Sequence, residues 1–206
     1  MVADGALQWQ LSADTIANRM APVNTTAQNA DTIIPMADAV VSQTITRWLT
    51  SHGQKSALRG SSAMTMRDLR QGPVVLIGGF NQWSLILLSN LRYSIRVDPA
   101  MHAMWIQDAQ NVSKRDWMID GNGQPKDIDY AVITRFIDPE TGHWILSLGG
   151  LRKQGTRVAR DLLVDSSFAQ LLQKQIKSTG NFQIVLKTSI VNGSADPPQI
   201  LAFHTW

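Results

Sequence analysis

The chain has 206 residues, 44% of them hydrophobic and 17% charged, enough for one sizeable core and too few for two comfortable domains. A net charge of +3 is only mildly basic and falls short of the dense Lys/Arg stripe that direct nucleic-acid binding requires. The absence of cysteine excludes disulfides, thiolate metal sites and thiol nucleophiles, while leaving the compartment, cytoplasmic or extracytoplasmic, undecided.

No stretch approaches the roughly 20 apolar residues that span a bilayer, and residues 1 to 20 lack the basic start and continuous apolar run of a signal peptide. The expectation is a soluble domain, with membership of a longer anchored protein left open. Residues 1 to 34 are rich in Ala, Thr, Asn, Asp and Gln and weakly periodic, which predicts a partly ordered arm or linker. A single α/β domain then runs from 35 to 206. Pro35 suits a helix start, and Met36, Ala39, Val40, Ile45, Trp48 and Leu49 recur at helical spacing until His52-Gly53. A short strand over 55 to 59 follows, then a short helix capped from Ser61, Ser62 or Thr65 and ended by Gly72-Pro73.

The run VVLI at 74 to 77 has the β-branched, continuous apolar character of a strand buried on both faces. It leads through Gly78-Gly79 into an apolar helix from about 81 to 91. Residues 93 to 97 and 104 to 107 read as strands, and NVSKRDWMIDGNGQPKD as a long polar loop. YAVITRF and WILSL flank DPETG, whose Pro and Gly sit where a hairpin turn needs them. A helix to about Val164 follows, then a second, capped by Asp165-Ser166, through Lys177. Residues 182 to 191 and 199 to 203 make a last hairpin. The pattern predicts an α/β fold: a Rossmann-like open mixed sheet with helices on both faces and C-terminal antiparallel hairpins.

The stretch ILSLGGLRKQGTRVA joins a strand to a helix through glycines. Gly150 and Gly155 have the Walker A spacing, but Thr156 stands where the phosphate-binding Lys belongs and Arg157 where the magnesium-binding hydroxyl belongs. The dinucleotide pattern is also absent, because Gly149 and Gly150 are adjacent. What survives is a glycine turn at a helix start, where unpaired backbone amides favour an anion, with Arg152, Lys153, Arg157 and Arg160 nearby, or else a solvated loop whose glycines only allow close helix packing. The turn at Gly78-Gly79 makes the same transition. If the strands ending at Ile77 and Leu148 are parallel neighbours, both turns share one rim, where α/β ligands gather. The candidate ligand-binding set is therefore Gly78, Gly79, Asn81, Trp83, Gly149, Gly150, Arg152, Gly155, Thr156 and Arg157. For Asn81, N-capping explains the residue equally well.

Other chemistry is sparse. His52, His102, His143 and His204 show no paired-ligand spacing, so no metal site is expected. The DGNG stretch starts like a calcium loop, but the twelfth position from Asp120 is Ala131. No G-x-S-x-G elbow occurs. Glu140 is the single glutamate, and Asp129, Tyr130 and Arg135 are within reach of a rim pocket or serve as strand-end caps and an ion pair. The seven tryptophans are assigned mainly to core and interface packing, with Trp83 beside the first glycine turn the one to watch.

Taken together, DLRQGPVVLIGGFNQWS, IDYAVITRFIDPETG and GGLRKQGTRVARDLL resemble an uncharacterised bacterial family of soluble α/β domains. Its patterns are DL-x-x-GPVVLIGAF-x-N-x-WT, DYA-x-V-x-R and AG-x-x-x-x-GT-x-A, matched over roughly residues 65 to 206. The chain departs from them in a shorter turn between Phe80 and Trp83 and in Ser84 for Thr. The resemblance implies a module attached to winged-helix or membrane-anchored regulators, and so a sensory role, without implying a cofactor. The leading expectation is a non-catalytic sensory or ligand-binding module for a small anionic ligand such as a nucleotide. The alternatives are a nucleotide- or glycoside-processing enzyme with Asp129 or another Asp as base, and a structural interaction module, with a homo-oligomer left open.

Overall fold

The computed structural model describes residues 34–168, 170 and 180–206, together with the backbone of residues 8–13. In chain order the elements are β1 (Gln8–Ala13), α1 (Met36–Ser51), β2 (Lys55–Gly60), α2 (Met66–Leu69), β3 (Val74–Ile77), α3 (Gln82–Leu87), β4 (Tyr93–Asp98), β5 (Ala103–Asp108) and β6 (Met118–Ile119). They continue with β7 (Ile128–Ile137), β8 (Trp144–Gly150), α4 (Lys153–Val164), β9 (Phe182–Val191), β10 (Ser194–Ala195) and β11 (Gln199–Thr205). A 3-10 turn, Ser61–Ala63, precedes α2.

Eight strands form a mixed sheet in the order β10-β9-β7-β8-β3-β1-β2, with β11 also on β9, and β4-β5-β6 form a second, antiparallel sheet. The chain is thus mixed α/β, with the expected antiparallel hairpins at its C-terminal end. Within the stretch expected as an arm, Gln8–Ala13 pairs in parallel with both β2 and β3; the rest of residues 1–33 lies outside the described residues. The expected helix from Asp165 to Lys177 also falls largely outside them, though the Asp165 carboxylate does accept the Ser167 amide at 2.7 Å, as a cap would. Among the described residues, no helix is long and apolar enough to cross a membrane.

The two-residue period of the strands divides the core. Val75 and Ile77 of β3, Ala131 and Ile133 of β7, Leu148 of β8 and Ile184 and Leu186 of β9 pack with Val41, Ile45 and Leu49 of α1 and Ala159 of α4. The alternate residues Tyr130, Val132 and Val185 pack against Tyr93, Met104, Ile106 and Ile119 of the small sheet. Val74, Leu76, Phe136 and Ile145 pack with Met64, Leu69 and Trp83. This sorting confirms VVLI as a strand buried on both faces: all four of its residues are at most 1% exposed.

α1 forms where its spacing predicts, but it turns differently. Its buried stripe is Val41, Ile45 and Leu49 with Asp38 and Ser42, whereas Met36, Val40 and Trp48 face outward. Helix α2 carries a full capping box, with Thr65 Oγ1 accepting from the Asp68 amide and the Asp68 carboxylate accepting from the Thr65 amide. At the β7–β8 turn, the Asp138 carboxylate accepts the Thr141 amide at 2.9 Å and Gly142 takes a φ of 71°. The β9–β10 turn places Asn192 and Gly193 at φ 51° and 77°, the double left-handed geometry that suits this dipeptide in a tight hairpin.

Candidate functional site

The strands that lead into the two glycine segments are neighbours. β3 and β8 pair in parallel, with Ile77 opposite Leu148, and the Gly78 amide donates to the Leu148 carbonyl at 3.0 Å. Both segments therefore lie on one rim of the large sheet. The second is not a turn throughout, however. Gly149 and Gly150 end strand β8, paired with Val132 and Ala131 of β7, and the chain turns at Leu151-Arg152.

The glycines allow backbones to meet. A Cβ on Gly79 would fall 2.7 Å from the Gly150 carbonyl oxygen, and one on Gly149 would fall 3.1 Å from the Gly79 Cα. Ile95 of β4 reaches the same point, its Cδ1 2.5 Å from the position of a Gly79 Cβ. A Cβ on Gly150 would sit 2.2 Å from the Thr156 nitrogen, and one on Gly155 would sit 2.3 Å from the Tyr130 carbonyl oxygen. The remaining crevice beside Gly79 and Gly149, bordered by Ser84, Ser94 and Ser147, holds about 20 Å³, room for about one water.

The polar members of the expected set are engaged within the fold. Asn81 is fully buried and caps α3: its Oδ1 accepts the Ser84 amide at 2.7 Å, and its Nδ2 donates to the Gly78 carbonyl at 2.9 Å and to Ser84 Oγ at 2.8 Å. Trp83 is buried, and its indole N–H donates to the Ser61 carbonyl at 2.9 Å. Thr156 Oγ1 accepts the Gly150 amide at 3.1 Å. Arg152 donates to the carbonyls of Gly123, Pro125 and Ile128, tying the polar loop to the rim. Of the arginines expected at the site, Arg157 is the exposed one, held among the described residues by a long 3.4 Å contact to Gln154 Oε1.

The position an anion would take at the start of α4 is shared with Asp129. This fully buried carboxylate on β7 accepts the amides of Gly155 at 2.7 Å, Arg152 at 3.1 Å and Tyr130 at 2.8 Å. Asp129 thus caps a helix more than twenty residues further along the chain, at whose own N-cap position Arg152 makes no side-chain cap bond. Burial pushes its carboxyl above the ordinary range, and the amides of Gly155 and Tyr130, with the nearby Arg152 charge, recover only part of that rise. The Lys153 and Gln154 amides, also in the first turn, have no acceptor among the described residues.

One arrangement was not legible as a site. The polar loop after β5 forms a cleft of about 120 Å³ lined by Ile106, Asp108, Asn111, Lys114, Asp116 and Trp117. The one signal in the sequence was a tryptophan embedded in an otherwise polar run. No protein-family model matches the chain, and no curated protein matches it.

Proposed function

We propose that the chain is a non-catalytic sensory or ligand-binding module that takes a small anion, such as the phosphate of a nucleotide, at the head of α4. The observation that supports this is the exposed pair Lys153 and Arg157 beside the Lys153 and Gln154 amides, which have no acceptor among the described residues, on the rim where β3 and β8 end. A helix start favours negative charge, and the two cations offset the charge already contributed by Asp129. In this reading Gly78, Gly79, Gly149, Gly150, Gly155, Asn81, Trp83, Thr156 and Arg152 hold the rim rigid, and Arg157 meets the ligand. A Rossmann-like description of the sheet, with helices on both faces, belongs to the same proposal. So does the family resemblance, which would place the module beside a winged-helix or membrane-anchored regulator.

The test is thermal unfolding with orthophosphate and with nucleoside mono- and triphosphates. Ligand at about a hundred times its dissociation constant stabilises by roughly 2.7 kcal/mol, and Arg157→Ala should remove most of that gain. No stabilisation by any of these anions, or a gain unchanged by Arg157→Ala, would refute the proposal. The enzyme reading with Asp129 as base has less support, because that carboxylate is buried and spends its oxygens on three backbone amides.

A second reading, an interaction module pairing copies of this chain, is favoured by the outward apolar residues of α1 and its approach: Ile34, Met36, Val40 and Trp48 are 38 to 79% exposed. Sedimentation velocity decides it. Concentration-dependent dimerisation lost in Trp48→Ser supports this reading, and a monomer at every concentration removes it.

A further inference from the structure

We infer that the cleft beside Trp117 is a binding site for an uncharged polyhydroxy ring, of the hexopyranose class, separate from the anion site proposed above. Its floor is apolar, formed by Ile106 and the half-buried indole of Trp117, which is braced edge-on by Tyr93 at 5.8 Å between ring centroids. An indole beside an open cleft offers a flat apolar face to the C–H face of a sugar ring and an N–H to a hydroxyl. The Trp117 N–H has no acceptor among the described residues, and it is not sealed off from solvent.

The wall of the cleft is fixed by bonds made on its inner side. Asp108 accepts from Arg92 Nε at 3.2 Å, from Arg92 Nη2 at 3.4 Å, from the Gln110 amide at 2.9 Å and from Asn111 Nδ2 at 3.3 Å. Arg115 lies over the Trp105 ring, 4.5 Å from its centroid, and donates to Gln107 Oε1 and the Val112 carbonyl. These contacts, with the Lys114 amide and Gln107 Nε2 donating to the Asn111 carbonyl at 3.0 and 3.3 Å, hold the loop without using the side chains of Lys114 and Asp116, which remain for a ligand. Such a wall is already ordered before binding, so little entropy is lost when a ligand enters.

The charges on the rim select the ligand class. Lys114 and Asp116 are each about two-thirds exposed and lie 4.0 Å apart, one of each sign, and Asp108 is matched by Arg92. A charged ligand therefore meets no net attraction, whereas a ring of hydroxyls finds the Lys114 ammonium and the Trp117 N–H as donors and the Asp116 carboxylate as acceptor. The volume fits one ring, with its far side in solvent.

The experiment follows the indole N–H signals of the whole chain by NMR during titration with glucose, galactose, mannose and, separately, adenosine. One indole signal should shift saturably with at least one hexose, with a dissociation constant on the order of millimolar. Trp117→Ala should abolish the saturable binding. Asp116→Asn, on the exposed rim where folding is not at stake, should weaken it at least about threefold by removing a charged acceptor. Arg157→Ala should leave the titration unchanged, which keeps this site distinct from the one at α4. The inference is overturned by no saturable shift with any hexose, by shifts that persist in Trp117→Ala, by an affinity indifferent to Asp116→Asn, or by adenosine alone binding at Trp117.

Discussion

The Asp129 carboxylate places an ionisable oxygen pair in a fully buried position, and what makes that tolerable is the set of three amides that converge on it from Tyr130, Arg152 and Gly155. Asp129→Asn keeps the size but turns an NH₂ toward at least one of those N–H groups, so a loss of about 1 to 3 kcal/mol is expected in urea unfolding. The pH dependence has a definite sign. A carboxyl whose folded pKa lies above its unfolded value contributes stability below the ordinary aspartate range, and that contribution is lost as pH rises through the folded pKa. The stability advantage of the native chain over Asp129→Asn should therefore shrink as pH rises above the ordinary aspartate value of about 4; an advantage that grows instead would show that the three amides outweigh burial. Arg152 obeys a related geometric rule, since its fork reaches at once two carbonyls of the loop, Gly123 and Pro125, and that of Ile128 at the start of β7. A lysine offers a single point of donation and cannot span them. Arg152→Lys should speed amide exchange in residues 121 to 128, and unchanged exchange would mean the loop is held by other contacts.

Gly155 lies inside the first turn of α4, where an alanine ordinarily stabilises a helix by about 0.8 to 1 kcal/mol. Here the sign reverses, because the added methyl would lie 2.3 Å from the Tyr130 carbonyl oxygen of a strand that cannot move without breaking its pairing with β8 and β9. Gly155→Ala should cost about 1 to 3 kcal/mol by thermal unfolding, and a neutral or stabilising result would show that α4 can slide on the sheet. Elements of this kind were legible where periodicity and punctuation agreed: VVLI as a buried strand, DPETG as a hairpin turn, and the start of α2 from Thr65. Strand β1 was harder to read. QWQLSA does alternate, but its partners are β2 and β3, beyond α1 and far along the chain, so no local turn signal announces it. Helical spacing placed α1 but not its buried face, because Asp38 and Ser42 share the buried side while Met36 and Trp48 do not, and residue type alone does not reveal that arrangement. At the candidate site, adjacent strands and a shared rim were foreseeable. Close packing through the glycines of the second segment was the alternative the sequence offered; that Gly79 and Gly149 also meet each other, with Ile95 reaching in from a second sheet, depends on non-local packing that spacing cannot encode.

The two sheets of the molecule are joined by a side chain acting as a length of strand. Gln183 of β9 accepts the Tyr93 amide at 2.9 Å and donates to the Tyr93 carbonyl at 2.7 Å, so its amide group takes the place of a neighbouring backbone at the start of β4. It also donates to Thr134 Oγ1 at 3.2 Å on β7, and Gln183, Tyr93 and Thr134 are all buried. This bridge fixes the small sheet, with its Trp117 cleft, against β7 and β9. Gln183→Leu fills the same space but leaves the Tyr93 N–H and C=O without partners, at a cost of about 2 to 4 kcal/mol. The loss should be uneven. By native-state hydrogen exchange, amides paired between β4 and β5 should open at lower free energy than in the native chain, while those paired between β7 and β9 keep most of their protection, because the latter ladder is internal to the large sheet. Equal losses in both ladders would instead make the two sheets a single cooperative unit in which Gln183 is one contact among many.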